Sequence, residues 1–337
     1  MALVNRWTGL LAIILLGGIL GWLALPIESG RESVVNIDGS STVFLITEAV
    51  VEEFQRSNRG SVRVTVGISG TGGGFRKFCR GETDVQDASR PILADEMEAC
   101  RKNGIQYYEL PVAFDAITIT VNPANTWAES MTAAELRSIW EPSAQGKIIR
   151  WNQVRSSWPD APLKLFGAGP DSGTFDYFTA VITGQAKASR GDYTASEDDN
   201  TLVIGIASDT YGLGYLPFAY YEMNRKRLKA LAVDGGEGPV LPSRDTIENG
   251  TYQPLSRPVF IYVNKQSAER PEVRRFVEFY LFRGPQLIEQ TKYVPLPPEV
   301  YRRATEQFRL GKVGTVFHGS PAGHLRIDAL FEREAEL

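Results

Sequence analysis

Four short stretches of this chain share one small polar design: Ser40-Ser41-Thr42-Val43, Ser69-Gly70-Thr71-Gly72-Gly73, Ser89-Arg90 and Asp171-Ser172-Gly173-Thr174. Each follows a β-type run, and three lead into a helical pattern. A helix start offers unpaired backbone N–H groups and the positive end of the peptide dipole. An oxyanion placed there gains hydrogen bonds without any formal positive charge. Ser and Thr hydroxyls add donors from the same turn, and glycine lets the backbone come close. Any one of these turns, taken alone, is an ordinary helix cap, and a glycine cluster is an ordinary turn. Recurrence after strand upon strand points instead to one shared anion, because ligands of open α/β sheets bind at the carboxyl ends of strands.

Two charged residues sharpen that expectation. Arg90 is the one full positive charge inside the four turns, and its planar fork suits a tetrahedral oxyanion bidentately. Its competing use is an ion pair with Asp87 or another carboxylate. Asp171 either caps its own helix or accepts a hydrogen bond from a protonated oxyanion, which would separate hydrogen phosphate from sulfate. Catalytic machinery is not expected. There is no Gly-x-Ser-x-Gly elbow, the two histidines (His318 and His324) lack metal-ligand spacing, and neither lies near the glycine turns. The P-loop pattern lacks its Gly-Lys-Ser/Thr, and Phe75 stands where a dinucleotide fingerprint needs its last glycine. No cofactor and no metal are therefore expected.

Alternating β-rich and amphipathic helical segments around these turns read as α/β. Val34–Ile37, Val62–Val66, Asp84–Ala88 and Leu163–Phe166 read as strands. The first turn enters a helix with Ile46, Ala49, Val50 and Phe54 on its apolar face. The glycine cluster 70–74 reads as a turn before a helix holding Phe75, Phe78 and Cys79. Two long extended runs, Ala113–Asn122 and Pro258–Asn264, lie far apart in sequence, as a pair of lobes joined by two crossing strands would require. Residues 34–115 with 258–317 then form lobe I, residues 116–257 an inserted lobe II, and residues 318–337 a C-terminal tail.

The bulk numbers agree with an exported binding protein of two ordinary domains. The chain has 337 residues, 43% hydrophobic and 23% charged, with a net charge of −4. That balance argues against nucleic acid as a partner, which would need a clustered basic face. Residues 1–27 read as a targeting segment: Arg6, then an apolar stretch from Leu10 to Leu25. A cleaved signal peptide and a retained membrane anchor both fit its length, and both place the remainder outside the cytoplasm. In that setting Cys79 and Cys100 read as one disulfide worth about 3 kcal/mol; two buried free thiols are the alternative.

The same residues resemble the substrate-binding proteins of phosphate ABC transporters, the PstS type. The similarity runs from about Val34 to about Leu310. It is carried by IDGSSTVF (37–44), GISGTGGGFRKFCRGETDVQDASRPI (67–92), ELPVAFDAITITVNP (109–123), PDSGTFDYF (170–178), YGLGYLPFAYY (211–221) and PLSRPVFIYVN (254–264). The resemblance implies a type II periplasmic-binding-protein fold with dehydrated inorganic phosphate buried between two lobes. It also implies a periplasmic monomer that delivers its ligand to a membrane permease. By matching motif, Ser41, Thr42 and Val43 would bind from the first turn, Ser69, Thr71 and Gly72 from the second, and Ser172, Gly173 and Thr174 from the fourth; Ser89 and Arg90 of the third turn are expected to bind on the reading of the residues alone. Two departures stand out. Ser89 occupies a position that is acidic in many relatives and accepts the phosphate proton, and Ala168 stands where relatives carry an Arg. Asp171 is the first replacement expected for the proton acceptor, with Asp87 second. Another oxyanion such as sulfate or a phosphonate, a membrane-tethered phosphate sensor, and a phosphate-ester hydrolase are the alternative functions.

Overall fold

A computed structural model describes residues 33–319. The targeting segment 1–27 and all but the first two residues of the expected tail lie outside the described residues.

In chain order the first half runs β1 (Ser33–Gly39), α1 (Ser41–Ser57), β2 (Val62–Val66), α2 (Gly70–Phe78), β3 (Val85–Ala88), α3 (Ala94–Lys102) and β4 (Tyr107–Val121). The periodicity of α1 explains its seat. Val43, Ile46, Val50 and Phe54 recur at helical spacing and are buried. Phe54 meets Phe276 and Phe279 edge-on, both at 5.3 Å between ring centroids. The glycine cluster is not a turn. Gly70 to Gly74 lie inside α2, and a Cβ on Gly74 would stand 2.0 Å from Gln86 Oε1 and 2.7 Å from Gly39 Cα. Gly74 is glycine because α2 there presses on the ends of β1 and β3, and Gly70 because its Cβ would stand 2.3 Å from the Asp171 carbonyl oxygen. Cys79, the C-cap of α2, is disulfide-bonded to Cys100 of α3.

After β4 come the short strand β5 (Ser130–Thr132), β6 (Lys164–Ala168), α4 (Gly173–Ile182), β7 (Thr194–Ser196), α5 (Asp199–Ser208) and β8 (Gly212–Pro217). Here Phe178 stacks on Tyr215 at 4.0 Å, and Trp140 abuts the same Tyr215 edge-on. Three further short strands, β9 (Lys229–Ala230), β10 (Ala232–Asp234) and β11 (Pro239–Val240), precede the long β12 (Ser256–Asn264). Helix α6 (Pro271–Gln290), β13 (Val294–Pro295) and helix α7 (Pro298–Leu310) complete the described chain.

The main sheet has the order β2-β1-β3-β12-β4-β8-β6-β7. β4 and β12 are its axis. Every residue of both is buried, which is why they read as unbroken apolar runs. β12 pairs antiparallel with β4 over Tyr107–Ala116, and β8 takes over from Ile117 to Val121. One strand thus serves two neighbourhoods in succession. The architecture is α/β, as the alternation of strands and helices requires. Among the described residues no helix is long and apolar enough to cross a membrane.

Candidate functional site

The four polar turns sit at the carboxyl ends of β1, β2, β3 and β6, and they meet. Gly173 is the junction. A Cβ at this position would stand 2.5 Å from both Ser89 Oγ and Thr71 Oγ1, so only glycine lets the start of α4 approach the second and third turns this closely. Thr71 Oγ1 lies 3.2 Å from Ser89 Oγ and accepts from the Ser89 N–H at 3.2 Å. On the other side of Gly173, Thr174 Oγ1 is 3.2 Å from Thr42 Oγ1 at the start of α1. Thr42, Thr71, Ser89 and Thr174 are all essentially inaccessible to solvent. Helices α1, α2 and α4 therefore bring their N-terminal first turns and three threonine hydroxyls to one place. Ser40 gives α1 no side-chain cap, so the first-turn N–H groups of Ser41, Thr42 and Val43 are left at the helix end.

Other expected residues are engaged differently. Ser69 turns its hydroxyl to Asp38, Ser41 donates to Asp199 Oδ2 at 2.8 Å, and Ser172 caps α4 by accepting from the Thr174 N–H at 3.1 Å. For Ser172 this cap is the role its side chain takes. Gly72 sits on the junction's rim, its N–H donating to the Asp171 carbonyl at 3.0 Å.

Two expectations about charge need correction. Arg90 does not present a free fork. Its Nε donates to Asp176 at 2.6 Å, its Nη1 to Glu96 at 2.7 Å and to the Pro91 carbonyl at 3.0 Å, and its Nη2 to Glu96 at 2.8 Å. At most one of its five N–H groups remains, on the Nη2 that lies against Gly72. Burial opposes its charge, but Glu96 and Asp176 more than offset that cost. Asp87, the partner weighed for Arg90, instead accepts from Thr47 at 3.0 Å, and burial pushes its carboxyl up to about 8.

Asp171 is not a buried acceptor either. Its carboxylate is held by Arg76 in a two-pronged pair at 3.0 and 2.8 Å, and that contact keeps it below the usual carboxylate range. A carboxylate so engaged at the surface has little capacity left for a ligand proton. The buried Asp176, one turn into α4, has an Oδ1 without a protein partner, and burial raises its carboxyl although Arg90 draws it down. Asp199 behind Ser41 is raised by burial to about 7.

Sequence reasoning missed Arg257. It lies in β12 directly opposite Asp115 of β4, and both are fully buried. Its Nη2 donates to Asp115 Oδ2 at 3.0 Å, to Thr174 Oγ1 at 2.8 Å and to Thr42 Oγ1 at 3.5 Å, its Nε to the same Asp115 oxygen at 3.3 Å, and its Nη1 to the Gly173 carbonyl at 3.1 Å. A partial signal was available: Arg257 is the one arginine or lysine in β12 and β4 carries two carboxylates, Glu109 and Asp115, and a charge in so apolar a strand needs a partner, although sequence does not say which. Among the described residues no group of three or more His, Cys, Asp or Glu side chains could hold a metal.

A model of the PBP superfamily domain matches residues 26–282, and the chain belongs to that family. Its relatives include SphX from Synechocystis sp., 50% identical over 96% of this chain and 95% of its own length, and the phosphate-binding protein PstS of Staphylococcus saprophyticus, 36% identical over 83% and 85%. Among solved structures, one described as a possible phosphate binding protein from Planctomyces limnophilus is 47% identical, with a TM-score of 0.63 over 83% of this chain and 99% of that one. A putative phosphate ABC transporter substrate-binding protein from Clostridium perfringens with bound phosphate shares the fold, with a TM-score of 0.66 at 22% identity over 79% of this chain and all of that one.

Proposed function

We propose that this protein binds inorganic phosphate outside the cytoplasm and delivers it to the permease of an ABC importer, without chemistry of its own. The observation that carries this reading is the meeting of three helix N-termini, Thr42, Thr71, Thr174 and the Ser89 hydroxyl around Gly173. Such a place supplies many neutral donors and little net positive charge, which suits a small, fully dehydrated oxyanion. Ser41–Val43, Thr71, Gly72, Ser89, Gly173 and Thr174 are the ligand-facing groups in this reading, and Asp176 Oδ1 replaces Asp171 as acceptor of the phosphate proton. The relatives named for phosphate binding support the choice of anion.

The two lobes in this reading are 34–115 with 258–317 and 116–257. Phosphate touches turns from both, so it has higher affinity for the closed arrangement and shifts the population toward it, with bending near 113–118 and 257–260. The protein acts as a monomer and needs no cofactor. Titration calorimetry tests the function. Tight phosphate binding that millimolar sulfate does not displace is expected; preference for sulfate or a phosphonate would overturn it.

A further inference from the structure

We infer that Arg257 is an anion-binding residue of this site and its principal cation, carried by the crossing strands instead of by any of the four turns. The inference rests on the phosphate reading for the identity of the anion, but its geometry stands apart from that reading. Three observations converge on it. First, Arg257 touches Thr42 and Thr174, hydroxyls of two different turns, and the carbonyl of Gly173 at the junction. It is therefore in the place where the turns meet and not behind it. Second, at most one of its five N–H groups is left over, but its partners can yield to a ligand. Asp115 is the one carboxylate paired with it among the described residues, and the threonine oxygens that accept from it are themselves hydroxyls able to turn and donate to an oxyanion. Arg90, by contrast, is closed in by two carboxylates. Third, Asp115 stands opposite it in register, which fixes the fork on strands that are buried from end to end. A buried guanidinium so held loses little freedom when an anion arrives.

The consequence reaches past one more hydrogen bond. β4 and β12 are the strands shared by the two proposed lobes, so a ligand drawing on Arg257 pulls on their crossing point directly.

Calorimetry on the full-length protein and two variants decides the matter. Arg257→Lys keeps a cation facing Asp115 but loses the fork, and Arg257→Gln removes the charge. With folding checked by circular dichroism, both should weaken phosphate binding by about tenfold to a hundredfold, Gln more than Lys. A folded variant that retains wild-type affinity within about twofold would overturn the inference and leave the phosphate reading intact. Wild-type protein that ignores phosphate but binds sulfate would overturn that reading instead, and the same variants titrated with sulfate would still decide the role of Arg257. Should neither variant fold, a crystal structure of the wild-type protein with phosphate settles the question. An anion oxygen within about 3.2 Å of an Arg257 nitrogen is expected; one beyond hydrogen-bond reach would overturn it.

Discussion

Two arginines of this protein, Arg90 and Arg257, lie wholly out of solvent, and their surroundings differ in one respect that matters. Arg90 faces two carboxylates, Glu96 and Asp176, whereas Arg257 faces one, Asp115, and fills the rest of its fork with hydroxyls and a carbonyl. Burying a guanidinium is costly unless it is matched by charge and hydrogen bonds. Two carboxylates over-match it and leave a cluster whose work is structural. One carboxylate matches it, and the Thr42 and Thr174 hydroxyls that complete its shell can turn toward an anion. The number of counter-charges, more than the presence of an arginine beside a polar turn, separates the brace from the binder.

The sharpest way to break this comparison is to remove the brace. Arg90→Leu strands Glu96 and Asp176 in the interior, and urea melts should show a loss of roughly 3–5 kcal/mol. A loss under about 1 kcal/mol would mean the cluster is not structural. Thr174→Val comes next: it keeps the shape of the site and removes a hydroxyl that touches both Arg257 and Thr42, so phosphate affinity should fall by about 1–3 kcal/mol in calorimetry on protein whose folding is checked by circular dichroism.

A smaller effect concerns pH. Burial raises Asp199 and Glu109 to about 7 and Asp87 to about 8, so the fold holds protons that the unfolded chain has released above its ordinary carboxyl range near pH ~4. Between those limits the native state binds more protons, and stability must fall as pH rises through that window, levelling off above about 8. Thermal melts of the phosphate-free protein should therefore decline from mildly acidic to mildly basic pH, and Asp199→Asn should flatten part of the slope. A wild-type melting temperature that rises over the same range would contradict the assignment.

The smallest effect is at the rim. Arg76 and Asp171 are 57% and 42% exposed, so their pair contributes only about 0–1 kcal/mol despite its two-pronged geometry. Arg76→Ala should speed phosphate release slightly in stopped-flow measurements at low salt, and the difference should vanish at high salt.

How much of this was legible in the sequence follows from the range of each signal. The strands and the helix starts depend on neighbours a few residues away, so the four polar segments and both long strands could be read directly, although β4 begins six residues before the expected Ala113. The disulfide between Cys79 and Cys100 was likewise readable from spacing and compartment. The glycine run misled because glycine disfavours helix locally, while the close approaches that call for glycine, Gly74 to Gln86 and Gly39 and Gly70 to Asp171, involve partners outside any local window. Arg90 and Asp171 were legible as residues of interest but not as to their partners. Asp176 lies 86 positions from Arg90, and Arg76 lies 95 from Asp171. Arg257 and Asp115 are separated by 142 positions, and nothing local in either strand names the other.

The Cys79–Cys100 bond has one more consequence. It makes a covalent ring of the segment that carries Ser89, Arg90 and Glu96. A protease that nicked the backbone anywhere between the two half-cystines would cut the thread without releasing either end. The third turn and its brace would stay tied to the body of the protein.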